Sequence, residues 1–219
     1  PELDLEHDFR SQELPAAFQW LRTPEPGYLF STVAREDALR IYGRESLGSL
    51  YHSALVARRQ EHLSFTATTS LEYEPAHFQQ MAGLVCYYNS NYFHYLYLHG
   101  DDLGGDRSRK FLNLISCDRV NHGFPLAEAI DITGADRVYL KADYNGESLQ
   151  FYYALAEGDW ITVGPALDGS ILSDEHAAND KERFHAAFTG AFVGMACQDL
   201  SGQGIHADFD WFEYVELSQ

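Results

Sequence analysis

Carboxylates are the reactive groups this chain holds in quantity, with 33 Asp and Glu against 15 Lys and Arg. Sugar hydrolysis needs two of them facing each other across a glycosidic bond, and abundance alone places no such pair. The sharpest spacing is Asp208-Phe209-Asp210, with Glu6-His7-Asp8 near the opposite end of the chain. Alternate residues of a strand share a face, so Asp208 and Asp210 are expected to project together unless a bulge intervenes. Asp8, Asp208 and Asp210, beside main-chain carbonyls, then form a candidate set of hard oxygen ligands for a structural Ca²⁺. The competing reading is an edge strand whose charges block aggregation between sheets.

Other chemistry is excluded by what the sequence lacks. It carries no GxSxG elbow, HExxH pair, Walker-type glycine loop, GxGxxG or EF-hand loop. Ten histidines are scattered without a zinc-like spacing, and His94 and His99 read as strand residues with satisfied ring nitrogens. Cys86, Cys117 and Cys197 each lie in an apolar run with no CxxC pairing, which predicts free buried thiols in a reducing, cytoplasmic setting. Tyr87, Tyr88, Tyr92, Tyr95 and Tyr97 offer a sugar-stacking platform, but alternation sends about half of such residues inward, and core packing is the stronger expectation. No residue is expected to be catalytic by itself, and no cofactor is needed for chemistry.

A formal net charge of −18 repels phosphate backbones, so no nucleic-acid partner is expected. No run approaches the roughly 20 apolar residues that cross a bilayer as a helix, so no membrane partner is expected. The chain opens on Pro1, which suggests a piece of a longer polypeptide.

The elements that must position these groups are strands. The hairpin signal is clearest from Val138 to Leu155, where VYLKADY and ESLQFYYAL flank Asn145-Gly146, a dipeptide suited to a type I′ turn. LSFTATTSLEY, MAGLVCYYN, YFHYLYLHG, FLNLISCD, AFVGMACQD and HADFDWFEYVEL read as further strands, with no long helical periodicity between them. The 14 Phe, 14 Tyr and 3 Trp supply ample area for two packed sheets. One excursion, Ser173 to Ala187, breaks the rhythm and is expected to be a short helical turn or an ordered loop. No linker or repeat divides the 219 residues, so the expectation is one all-β antiparallel sandwich domain, 1–219.

FTGAFVGMACQDLSGQGIHADFDWFEY, from Phe188 to Tyr214, resembles the closing segment of the β-xylosidases of glycoside hydrolase family 43. The opening FRSQELPAAFQWLRTP resembles the start of that family's C-terminal β-sandwich, and SLYHSALVARRQ and GLVCYYNSNYFHYLYL fit it too. The resemblance implies a concanavalin-like sandwich that follows an N-terminal five-bladed β-propeller carrying the general acid, the general base and the tuning carboxylate. The expected activity of the whole is inverting, exo-acting release of xylose from xylo-oligosaccharides. The expected role of this part is to close the pocket with a loop Phe and to support a homo-oligomer, dimer or tetramer. By motif position Phe188 is the first choice for that Phe and Phe184 the second. The alternative is a free-standing, lectin-like carbohydrate-binding module.

Overall fold

In the computed structural model, residues 6–101, 109–119, 121–178 and 189–217 are described. Strands follow one another as β1 (Glu6–His7), β2 (Phe18–Trp20), β3 (Phe30–Ser31), β4 (Leu39–Tyr42), β5 (Ala54–Arg59), β6 (Phe65–Tyr73), β7 (Gln80–Asn89) and β8 (Tyr92–Gly100). After them come β9 (Lys110–Asp118), β10 (Asn121–Gly123), β11 (Ile130–Asp131), β12 (Val138–Tyr144), β13 (Ser148–Ala154), β14 (Ile161–Asp168), β15 (Phe192–Asp199) and β16 (His206–Glu216).

These strands make two antiparallel sheets. The first runs β14-β13-β12-β6-β16-β4-β3, with β1 added along β16; the second runs β10-β9-β8-β7-β15-β5-β2, with β11 added along β9. The all-β antiparallel sandwich expected from the sequence is therefore the observed fold. Alternation explains the pairing of faces. In β12, Val138, Leu140, Ala142 and Tyr144 are buried while Tyr139, Lys141 and Asp143 are half-exposed, as one buried and one wetted face require.

The intersheet core is aromatic. Phe65, Phe151, Phe209, Phe212 and Tyr214 are fully buried, and Phe65 stacks on Tyr214 with centroids 4.7 Å apart. Such a pair adds about 0.5–1.5 kcal/mol beyond the area it buries. Phe209 and Phe212 are three residues apart, so strict alternation would set them on opposite faces. A register shift between them restores both to the core and leaves Trp211 on the outside, half-exposed.

Two sequence expectations are corrected. The Asn145-Gly146 hairpin forms, but positive φ falls on Gly146 alone (+86°), so the turn is not type I′. The Asn145 side chain accepts from the amides of Glu147 and Ser148, which holds Asn145 in place as the residue before the turn. His94 is also only half as expected. Its Nε2 lies 2.9 Å from the Asp168 carbonyl, while its buried Nδ1 has no partner, and burial lowers the affinity of this imidazole for a proton.

The excursion at Ser173 opens as α1 (Asp174–Ala178); residues 179–188 lie outside the described residues. Cys86, Cys117 and Cys197 are all buried, and the Cys117 thiol donates to the Asn91 carbonyl at 3.4 Å. No helix among the described residues is long and apolar enough to cross a membrane.

Candidate functional site

At one edge of the second sheet, where β2, β5, β7 and β15 come side by side, lies a hollow of about 410 Å³. Trp20, Arg22, Arg59, Tyr87, Asn89 and Phe192 form much of its wall. Each is placed by a local device. Trp20 packs edge-on against Phe30 at 5.5 Å and donates its indole N–H to the Thr23 carbonyl. Arg22 reaches the Leu50 carbonyl at 3.0 Å. Arg59 lies over the Phe192 ring, 4.8 Å from its centroid, and donates to the Thr189 carbonyl. Gly190 makes this approach possible, because a Cβ there would meet the Arg59 guanidinium at 2.7 Å and its φ is +68°.

Tyr87 sits deepest. It is buried, and its hydroxyl has no hydrogen-bond partner. Burial pushes its pKa up to about 12, against a smaller opposing pull from Arg22. It therefore stays a neutral donor and acceptor at any ordinary pH.

No Asp or Glu among the described residues lines this hollow. It has no acid or base to offer a glycosidic bond; aromatic faces, two guanidiniums and a phenol equip it to bind. The sequence singled out Phe184 and Phe188 instead, and both lie outside the described residues. Their flanks are nonetheless tied to the same sheet, Thr189 at the hollow and Asp174 and His176 farther along, through β7 and β9. Tyr88, the neighbour of Tyr87, donates to Asp174 at 2.7 Å, and Arg59 holds Thr189. His176 meets Asp118 at 2.9 Å.

The carboxylates proposed as cation ligands stand elsewhere, on the outer face of the first sheet. Asp208 accepts from Arg40 at 2.7 and 2.8 Å and from Arg35 at 3.0 Å. Arg35 also pairs with Glu72 at 2.8 Å, and Arg137 links Glu72 to Asp210. Asp210 accepts in addition from Ser70. Asp208 and Asp210 do project into one network, as the alternation argument expected, but guanidiniums occupy it. Burial opposes ionisation of Asp208, and the hydrogen bonds from Arg40 and Arg35 outweigh it, holding the carboxyl below its ordinary range. Glu72 is lowered in the same way: burial opposes, and Arg137 and Arg35 prevail. Asp8 pairs with nearby Arg10 at 3.3 Å. Among the described residues no group of three or more His, Cys, Asp or Glu is arranged to hold a metal ion.

The protein family described as the β-xylosidase C-terminal concanavalin A-like domain matches residues 6–215. The chain belongs to that family. It is 42% identical over 198 residues to xylosidase/arabinosidase 43B of Humicola insolens, covering 90% of this chain and 36% of the relative. It is 38% identical over 218 residues to a β-xylosidase of Bacillus subtilis, covering 99% and 38%. The crystal structure of a xylan β-1,4-xylosidase from Bacillus halodurans superposes with a TM-score of 0.89 at 36% identity, over 99% of this chain and 40% of that one. The sandwich domain thus spans well under half the length of these relatives.

Trp20, Arg22 and Arg59 were not singled out by sequence reasoning, and Tyr87 was named only as one of five tyrosines that could stack on a sugar, with core packing the stronger expectation. All four fall inside segments that carry the family resemblance, FQWLRTP, ALVARRQ and LVCYY. No chemical spacing marks them, because they converge only when β2 pairs with β5 and β15 lies between β5 and β7.

Proposed function

We propose that this sandwich is the accessory domain of an inverting, exo-acting β-xylosidase. Hydrolysis is carried out by carboxylates on an N-terminal five-bladed propeller fused to it, and xylo-oligosaccharide is the substrate. The observation that carries this reading is the family match over residues 6–215, together with a hollow that no carboxylate among the described residues lines. In this reading a Phe of the 179–188 segment, Phe188 first and Phe184 second, packs on the apolar face of the terminal xylose. Excluding water from one end of a pocket favours exo cleavage. Assembly into a dimer or tetramer belongs to the same proposal.

The experiment is made in the full-length enzyme. Phe188→Ala lowers kcat/KM on xylobiose about tenfold or more, as loss of a positioned contact does. Unchanged values for both Phe188→Ala and Phe184→Ala would remove this segment from the site. The 219-residue chain alone leaves nitrophenyl xyloside intact; hydrolysis above background would refute the placement of the acids on another domain.

The Trp20 and Tyr87 walls of the hollow favour a second reading, a lectin-like module that binds sugar by itself. Titration calorimetry of the chain with xylohexaose separates the two, since the accessory role gives almost no heat.

A further inference from the structure

The two sheets differ on the faces they turn away from the core. On the second sheet that face is a second apolar layer, in which Leu55, Val85, Tyr87, Phe93, Tyr95 and Tyr97 form a separate buried cluster. Its rings are taken up in packing. The first sheet has the polar outer face usual for an antiparallel sheet with one wetted side, yet Tyr139, Tyr152 and Trp211 stand half-exposed on it, and Trp160 is half-exposed beside it. Large aromatic rings set among charged side chains need a reason.

Cross-strand register lays these rings out. Tyr152 on β13 stands opposite Lys141 on β12, Lys141 opposite Thr68 on β6, and Thr68 opposite Glu213 on β16. Three strand spacings make this row roughly 14 Å wide, room for more than one sugar ring. The Lys141 ammonium lies 4.2 Å from the centroid of Tyr152 and 5.1 Å from that of Trp160, which fixes both rings. Tyr139 lies two residues along β12 from Lys141, on the same face. Its ring is 6.4 Å from that of Trp211 at an interplanar angle of 35°, so the two make a shallow aromatic surface. Trp211 faces outward because of the register shift between Phe209 and Phe212, and a bulge is a common device for re-aiming a side chain. A second hollow, of about 460 Å³, adjoins Tyr139 and is lined also by Thr133, Asp136, Arg137 and Leu155.

The charges on this face narrow the ligand. Lys141 pairs with Asp143 at 3.5 Å, and Arg137 with Glu72 and Asp210. A charged ligand would have to displace these pairs, and an anion would do so on a chain of formal net charge −18. What remains open is flat ring surface bordered by the exposed Asp136 carboxylate and by Thr162 and Glu213. The apolar face of an uncharged pyranose fits the rings, and its hydroxyls fit the polar border.

We propose that the outer face of the first sheet, from Trp160 and Tyr152 across Tyr139 to Trp211, is a second sugar site that holds an uncharged xylan chain away from the hollow of the second sheet. Tyr139 and Trp211 stack on neighbouring xylose rings, Asp136 accepts from their hydroxyls and Arg137 donates to them. The inference rests on the reading that xylo-oligosaccharide is the substrate, since an enzyme working at chain ends gains from keeping the rest of the chain close. The platform is open, so it grips each ring weakly. A short oligosaccharide exchanges fast and gives almost no heat, whereas a polymer offers many overlapping registers and is held longer.

Affinity electrophoresis of the 219-residue chain through gels containing polymeric xylan tests it. The wild type is retarded severalfold relative to a plain gel. Retardation is lost in Trp211→Ala and Tyr139→Ala and kept in Tyr139→Phe and Trp20→Ala. No retardation of the wild type, or loss in Trp20→Ala with retention in Trp211→Ala, would overturn the site. A second arm needs no variant: on adding xylohexaose the indole N–H resonance of Trp211 moves in heteronuclear NMR spectra, and that of Trp20 stays. Movement of Trp20 alone would overturn the proposal in favour of the lectin-like hollow. Movement of Trp211 with protein concentration in the absence of sugar would give the face to a second copy of the chain, and overturn it too. In the full-length enzyme Trp211→Ala lowers kcat/KM on polymeric xylan severalfold and leaves that on xylobiose unchanged; an equal loss on both would refute a site remote from the chemistry. Failure of sugar binding on this face leaves the accessory reading standing, because that reading is tested by Phe188→Ala and Phe184→Ala on xylobiose.

Discussion

Arg40 grips Asp208 with two parallel bonds, Nε to Oδ1 at 2.7 Å and Nη2 to Oδ2 at 2.8 Å, across the paired strands β4 and β16. The Asp208 side chain is only 9% exposed. A carboxylate that far from water persists as an anion because a planar fork of donors matches it.

Removing one partner leaves the other uncompensated. Arg40→Leu destabilises the domain by about 2 kcal/mol, less than a fully isolated buried charge because Arg35 still reaches Asp208. The double variant Arg40→Leu with Asp208→Asn loses less than the sum of the single losses. Urea unfolding of the four proteins measures the coupling, and additive losses would show that the pair is not a unit.

The same groups give stability a pH dependence of known sign. Asp208 and Glu72 have folded pKa values below their ordinary ones, so the unfolded chain binds protons that the folded chain does not. Their contribution is fully present above the ordinary carboxylate range, ~4, and is lost as the pH falls through the lowered folded values. Urea midpoints measured downward from neutral pH fall in the wild type, and fall less in Asp208→Asn. Identical slopes would contradict the linkage.

Four arginines, Arg10, Arg35, Arg40 and Arg137, already balance the candidate calcium ligands Asp8, Asp208 and Asp210. EDTA, and equally added Ca²⁺, should therefore leave the Tm unchanged. A Tm lowered by EDTA and restored by Ca²⁺ would reinstate Asp8, Asp208 and Asp210 as ligands.

Gly83 and Gly194 lie where strands of the second sheet press together. A Cβ at Gly83 would stand 2.0 Å from the Leu96 carbonyl oxygen, and one at Gly194 would stand 2.3 Å from that of Val56. These contacts are with backbone, which cannot swing aside, so Gly83→Ala or Gly194→Ala costs about 3 kcal/mol or more. Gly27→Ala, with nothing within 4 Å of the new methyl, serves as the control in thermal unfolding. Equal Tm values for all three would refute the crowding.

The sequence by itself determined the longer strands β6–β9, β12, β13, β15 and β16, because a period of two in apolar residues has one stable solution when one face must be buried; the short strands β1–β5, β10 and β11 carry too few residues to show that period. β12 and β13 could be read within a residue or so, and the resemblance of Phe188–Tyr214 named the family. It also put Asp208 and Asp210 on one face, since that needs only alternation. Only the tertiary structure decided what those carboxylates meet. Arg35, Arg40 and Arg137 are 173, 168 and 73 positions or so from their partners, and nothing local signals such an encounter. The second apolar layer was hidden for a related reason. Tyr87, Tyr95 and Tyr97 look like any core strand residues, and only the pairing of β5, β15, β7 and β8 reveals that they share the outer face. Periodicity is a property of one strand, whereas a site is a property of which strands become neighbours.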